Sequence, residues 1–412
     1  MKNHPWLKSS LPILLGVSLM LSLSTGMRQS LGVFMPEITQ NIGVSVSQFT
    51  LAIAIQNLTW GLMQPFTGVL VIRVGFKKVM VIGSFLYLLG IIILAMANGV
   101  VAVTIGAGFL IGCALACNGS GIGMAVATRA VPVEKRSLIL GMVSAAGSLG
   151  ALVAAPIAQA LIQEFDWRIG MLGFVVMAAL VIPGAWYAGG IDQKPILGQS
   201  VNDDIKPMQV VVNALKYPPF AVMAIAYFVC GMQLIFLTTH LPSYLALCGL
   251  DPMLSAQSLG VIGGFNALGS LFFGWMGGRY NKLFLLGLIY ILRSIGIAYY
   301  FYVIPNSTNT LIFAAYIGFL WLGVIPLVSG SIAEMFGVKW QAMLVGVAFI
   351  AHQFGSFVGA FGGGLIFDAL GSYDLALQIG VSIGLFAGIV QASFALFKTK
   401  PPIAPAPTTQ FS

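Results

Sequence analysis

Apolar residues fall along this chain in long blocks separated by short polar breaks. About 20 helical residues cross the roughly 30 Å of hydrocarbon in a bilayer. Blocks of that length occur at 10–35, 46–71, 79–97, 101–127, 138–162 and 168–189, and again at 219–240, 254–277, 283–304, 310–333, 343–367 and 375–397. The pattern predicts twelve membrane-spanning helices. A transmembrane barrel would leave a much weaker, alternating signal. Lys2 and Lys8 precede the first block, which is too long for a signal-peptide core and reads as a span kept in the mature protein.

Composition supports a bilayer location. Of 412 residues, 58% are hydrophobic and 7% charged, against roughly 25% charged in an ordinary soluble protein. That excludes soluble domains, a disordered chain, a collagen, a coiled coil and a nucleic-acid binder. The 50 glycines suit membrane helices, where small residues let backbones approach closely. Cys113, Cys117, Cys230 and Cys248 have no His or carboxylate at metal-ligand spacing, so they read as small packing residues.

The net charge of +8 is explained by topology, because Lys and Arg concentrate in short cytoplasmic loops. With the N-terminus inside, 16 of the 19 basic residues fall on the inner side. They include Arg73, Lys77 and Lys78, then Arg129, Lys135 and Arg136, and later Arg279 and Lys282. Arg168 lies in an outer loop, and Arg28 and Arg293 lie within spans. The alternation predicts that both termini are cytoplasmic.

A polar stretch carrying Asp192, Asp203 and Asp204 with Pro195 and Pro207 divides the chain. The predicted organisation is a six-helix bundle over 1–190, a cytoplasmic linker over 191–217, a second bundle over 218–400 and a Pro-rich, disordered tail over 401–412. The halves also repeat. Gly68 and Gly274 each open a basic segment at the inner end of the second span of their half, and they lie 206 positions apart. Ser45 and Asp251, both helix-capping residue types, are separated by the same offset at the outer end. Parallel repeats around a midplane site are a plan of secondary transporters, in which one half rocks against the other.

The segment Gly68-Val-Leu-Val-Ile-Arg73-Val-Gly75-Phe-Lys77-Lys78, weakly repeated at Gly274-Trp-Met-Gly-Gly-Arg279, resembles the G-x-x-x-D-R-x-G-x-K-K signature of the major facilitator superfamily. The resemblance covers essentially the whole chain. Arg28-Gln-Ser-Leu-Gly-Val-Phe-Met-Pro-Glu37, Thr239-His240-Leu-Pro242, Tyr290-Ile-Leu-Arg293 and His352-Gln-Phe-Gly-Ser-Phe357 are similar to the bacterial branch near the monocarboxylate transporters and oxalate/formate exchangers. The resemblance implies an all-α integral membrane fold of two pseudo-symmetric six-helix bundles. It also implies a cell-membrane location, a bacterial inner membrane, and a monomer. One departure concerns the signature's acid, whose place is taken by Ile72 and Gly278, leaving open what holds the gate.

An ionisable side chain at mid-span costs about 2.5–3.5 kcal/mol on insertion scales and marks a functional candidate. Arg28 presents a permanently charged planar fork suited to a carboxylate; the alternatives are snorkelling or pairing with Glu37. By resemblance it occupies the place of a span-one lysine involved in substrate and proton handling. His352, with an ordinary pKa near 6.5, suits proton uptake and release, or else serves as a neutral helix-bridging imidazole. By resemblance it lies where the exchangers carry a substrate-contacting lysine. Arg293 reads as structural, bonded to carbonyls or a neighbouring helix. Asn57 and Asn118 are equally balanced between lining the path and joining helices, whereas Gln56, Gln64, Gln233 and His240 lean towards helix contacts. By resemblance Asn266 matches a polar position of some carriers, while Ser270 stands where related carriers often place an arginine.

No Ser/His/Asp set, metal cluster or pocket of paired carboxylates can be assembled, so neither an enzyme nor a cofactor is expected. The expected partners are a small organic anion, in the first instance a monocarboxylate, together with protons and the bilayer. An anion exchanger, an exporter of amphipathic drugs and, remotely, a non-transporting sensor stand as alternatives.

Overall fold

The computed structural model describes residues 5–44, 46–194, 206–250 and 252–397, and they are helical almost throughout. Helix α1 (Pro5–Ser30) runs through a 3-10 turn (Leu31–Phe34) into α2 (Met35–Ile42). Two uninterrupted rods follow, α3 (Val46–Val74) and α4 (Phe76–Ala95). Next comes an interrupted rod of α5 (Val100–Val103), a π-helical segment (Thr104–Leu110), α6 (Ile111–Asn118) and α7 (Ser120–Ala130). The first half closes with α8 (Arg136–Glu164) and α9 (Trp167–Ala188). The second half holds α10 (Pro207–Lys216), α11 (Pro218–Leu247), α12 (Pro252–Met276) and α13 (Lys282–Tyr302). Then come the broken pair α14 (Ser307–Trp321) and α15 (Val324–Phe336). Helix α16 (Gln341–Phe357) passes through a π-helical segment (Val358–Gly362) into α17 (Gly363–Leu370), and α18 (Asp374–Leu396) follows.

Ten helical segments among the described residues are long and apolar enough to cross a membrane. The other two predicted spans are also helical, as α3 and α12, but lie outside that set of ten. Helix α3 carries Gln56, Asn57 and Gln64 within its length. The interruptions in the fourth, tenth and eleventh predicted spans were not foreseen from hydropathy. The predicted caps Ser45 and Asp251 and the Pro-rich tail lie outside the described residues.

Side chains fix several helix starts. Asp166 Oδ1 accepts the N–H of Ile169 at 2.8 Å, Asn281 Oδ1 those of Leu283 and Phe284 at 2.9 and 3.2 Å, and Asn306 Oδ1 that of Asn309 at 2.9 Å. The α3–α4 turn requires Gly75, whose φ of +91° disfavours any side chain. Within the predicted linker, α10 forms because Pro207 pre-sets the first turn and Val210 and Ala214 bury against the core of the second half. Buried side chains from 13 to 191 form one cluster, joined by Ala342; two further clusters hold residues 210–349 and 237–377.

One face of the bundle gathers both ends of the described chain. There Lys194 Nζ donates to Ser9 and Ser10 Oγ at 3.1 and 2.7 Å, Arg129 Nη2 to Lys194 O at 2.7 Å, and Asn281 Nδ2 to Ala395 O at 3.1 Å. Towards this terminal face the two halves meet closely. A Cβ on Gly274 would lie 2.4 Å from Gly141 Cα, and one on Gly68 would lie 2.3 Å from Met343 Cα. Gln341 Nε2 donates across the seam to Thr128 Oγ1 at 3.0 Å, and Ser144 Oγ donates to Ser270 Oγ at 3.2 Å. Nearer the opposite end of α12, Gly260, Gly263 and Gly264 face open space. The halves are therefore closely packed towards the terminal face.

Candidate binding site

Arg28 lies in the last turn of α1, where a cation faces the negative end of the helix dipole. The residue is half-buried, yet its Nε is fully enclosed and has no hydrogen-bond partner. Its Nη2 donates to Asn57 Oδ1 at 2.6 Å, and its Cζ lies 5.0 Å from the centre of the Trp60 ring, within cation–π range. Asn57 is held by its own bond from Nδ2 to Ile53 O at 3.0 Å. Among the described residues the ion pair formed is Lys282–Glu334, and none of their carboxylates pairs with Arg28. Glu37 instead accepts from Asn41 Nδ2 at 3.2 Å.

His352 approaches the same place from α16. Its ring stacks on Phe349, with centroids 5.1 Å apart and planes 16° apart, and meets Tyr227 at 4.7 Å. Its Nδ1 lies 3.3 Å from Gln353 Oε1 and 3.5 Å from Ser356 Oγ. A hydrogen on Nδ1 facing Gln353 leaves Nε2 as the acceptor of the neutral ring. Gly231 permits this packing of α11 on α16, since a Cβ there would collide with the His352 carbonyl.

Two links join Arg28 to His352 across the seam. Trp60 on α3 contacts Phe349 on α16 at 4.7 Å between centroids. Gln353 Nε2 donates to the Asn57 backbone carbonyl at 2.9 Å. Trp60 is oriented by donating from Nε1 to Gln64 Oε1 at 2.9 Å, and Gly61 leaves room for Gln353 where a Cβ would clash. Beneath this tier is a small cavity lined by Phe349, Tyr227, Gln64, Ser120, Ser329 and Met124 among others, with no charged side chain in its lining. Arg28, Asn57 and His352 thus share one connected cluster that combines a permanent cation, an imidazole and an aromatic wall.

The other candidates are placed elsewhere. Asn118 is wholly buried with its amide 3.1 Å from Ser84 Oγ, joining α6 to α4. Asn266 Oδ1 accepts the Leu322 N–H at 2.8 Å, in the break between α14 and α15. Arg293, wholly buried, donates from Nη2 to Leu320 O and Trp321 O at 2.7 and 3.3 Å, and from Nη1 to Cys230 Sγ at 3.3 Å. A broken helix leaves carbonyls unsatisfied, and this guanidinium bonds two of them. His240 bridges Ala360 O, 2.8 Å from Nε2, and Tyr373 Oη, 3.3 Å from Nδ1. Its bond from Nε2 serves a carbonyl of the π-helical segment.

Of the signature residues, Gly68 and Gly274 lie in the inter-half crossings, and Gly75 makes the turn. Arg73 and Lys78 are exposed, Lys77 Nζ sits 3.2 Å from the Trp186 ring centre, and Arg279 Cζ lies 4.0 Å from that of Trp275. A carboxylate from distant sequence does reach this turn. Asp192 accepts the N–H groups of Phe76 and Lys77, each at 2.9 Å, and so caps α4. Trp60, Tyr227, Phe349 and Gln341 carry no functional signal in the sequence, Gln353 enters only as a neighbour of His352, and Asp192 only as part of the linker. Aromatic residues inside an apolar span give no signal beyond packing, and Asp192 lies 116 positions from the backbone it caps.

The Major Facilitator Superfamily profile matches residues 17–360. An uncharacterized MFS-type transporter, YcxA, of Bacillus subtilis strain 168 is 24% identical over 381 residues, covering 89% of this chain and 91% of the relative. Monocarboxylate transporter 13 of Rattus norvegicus is 22% identical over 346 residues, covering 82% of this chain and 75% of the relative. Among solved structures, the E. coli fucose:proton symporter FucP matches the fold with a TM-score of 0.73 at 16% identity, over 94% of this chain and 99% of that one.

Proposed function

The chain belongs to the Major Facilitator Superfamily of transporters, and on that premise we propose that it moves a small organic anion, a monocarboxylate, together with protons. In this reading twelve spans cross the bacterial inner membrane as two six-helix bundles with both termini cytoplasmic, and substrate passes by alternating access. The terminal face is then the cytoplasmic gate, closed in this structure. The single observation that carries the anion reading is the Arg28 guanidinium, enclosed beside the seam without a carboxylate partner among the described residues. A buried charge is stable only when paired or hydrogen-bonded, and an incoming carboxylate supplies the missing charge. The relative with monocarboxylate transporter in its name and the fold shared with a proton symporter support the same reading.

In the proposed cycle Arg28 anchors the carboxylate and Asn57 positions the guanidinium. His352, on the opposite half, takes a proton from the open side and releases it after the halves rock. A fixed cation cannot titrate, so the coupling falls to the imidazole. This reading gives Asn118 and Asn266 no substrate contact, since Asn118 bonds to Ser84 and Asn266 Oδ1 accepts the Leu322 N–H away from the Arg28 cluster. Purified protein in proteoliposomes tests this directly. Uptake of a labelled monocarboxylate should rise with an inward proton gradient. Arg28→Ala should abolish uptake while the protein stays folded, and His352→Gln should leave counterflow but remove the response to the gradient. Full uptake by Arg28→Ala would refute the anchor.

A further inference from the structure

The aromatic contact at the seam carries information about the cargo's carbon skeleton. Trp60 and Phe349 sit on opposite halves of the chain and touch at 4.7 Å. Each is tied to one of the two cationic candidates, Trp60 to Arg28 at 5.0 Å from its ring centre and Phe349 to His352 in a stack. Tyr227 closes the wall, 4.7 Å from His352 and 6.2 Å from Phe349. Trp60 is half-buried and pinned through its indole N–H to Gln64, so its face is presented in a fixed direction. Because the two rings belong to different halves and meet in a tilted contact, with planes 55° apart, they part when the halves rock, and each then loses an aromatic neighbour. A flat ring entering between them offers a π-face to both, whereas a saturated ring or a short aliphatic chain does not, since offset stacking needs a π-face.

Resting on the anion reading above, we infer that the site selects planar aromatic monocarboxylates, with the carboxylate on Arg28 and the ring against Trp60 and Phe349. The two rings are specificity-determining residues, and the acid group alone is the business of Arg28 and His352. Benzoate and cyclohexanecarboxylate separate these contributions, being equal in charge and close in size but differing in planarity. The test measures inhibition of labelled-substrate counterflow by benzoate, cyclohexanecarboxylate and acetate on the full-length protein in proteoliposomes, with ligand-induced thermal stabilisation in parallel. Benzoate should bind at least tenfold more tightly than cyclohexanecarboxylate. Trp60→Leu or Phe349→Leu should each bring the two acids to within about threefold of each other, a ratio from which any general loss of anion affinity cancels. If one variant fails to fold, the other and the unmodified protein still decide the matter. Equal binding of the two ring acids to the unmodified protein would overturn the inference and leave the anion reading intact. Failure of all three carboxylates to bind or compete would overturn both.

Discussion

Arg28 and Arg293 both lie within predicted spans, and the regions around them differ in one respect that matters. Arg293 ends in a break between α14 and α15, where the carbonyls of Leu320 and Trp321 take its Nη2 and Cys230 takes its Nη1. Arg28 ends beside the seam, where one neutral amide oxygen and a ring face receive it; the Nε of both arginines is buried without a partner, so the contrast lies in the Nη groups. Both satisfy the same insertion cost, yet only one has its fork occupied by the protein's own acceptors. The availability of acceptors, rather than burial or residue type, separates a structural guanidinium from a binding one.

Mutations that interchange these properties sharpen the contrast. Arg293→Met should have the largest effect, since it leaves two buried carbonyls orphaned at roughly 1–3 kcal/mol each. We expect a stability loss of about 3 kcal/mol, seen as a markedly lower melting temperature or loss of the monodisperse peak in detergent. An unchanged melting temperature would mean that the broken helix does not rely on this staple. Arg28→Gln should leave the melting temperature within a degree or two and weaken carboxylate binding by about 10–100-fold, the worth of a hydrogen bond to a charged group at roughly 1.5–3 kcal/mol. Titration of the purified variant measures it, and a large melting shift without a binding defect would reverse the two roles.

Smaller effects test the surroundings of each arginine. Asn266→Ala removes the acceptor for the Leu322 N–H and should cost about 1–2 kcal/mol of stability without altering which carboxylates compete in counterflow. A changed competition profile would return Asn266 to the binding site. Asp192→Ala removes the cap of α4 and should cost about 1 kcal/mol. Thermal unfolding reads that loss, and hydrogen exchange at Phe76 and Lys77 should rise with it; unaltered exchange there would show that the cap is dispensable.

Much of this architecture was legible in the chain. The helical segments follow the apolar blocks closely, and Arg28 and His352 stood out because an ionisable group within a span is rare. The π-helical segments at Thr104–Leu110 and Val358–Gly362 and the break after Trp321 left no mark in hydropathy, since they exchange one backbone hydrogen-bond pattern for another within equally apolar sequence. Asn266 was placed at the substrate by resemblance, yet its amide serves a backbone N–H 56 positions away. Trp60 and Phe349 give no signal in the sequence because the contact that distinguishes them joins positions 289 apart.

What the amino-acid order determined by itself is the membrane-scale helical pattern and the short list of charges stranded within it. Both follow from the transfer cost of about 20 consecutive residues into hydrocarbon, a quantity that each segment carries without reference to any other. Which stranded charge is quenched and which stays open was decided by the tertiary structure alone. A hydrogen bond depends on an acceptor lying within about 3 Å, and the packing of α11, α13 and α14 brought such acceptors to Arg293, whereas the meeting of α1, α3 and α16 brought Arg28 an amide and a ring.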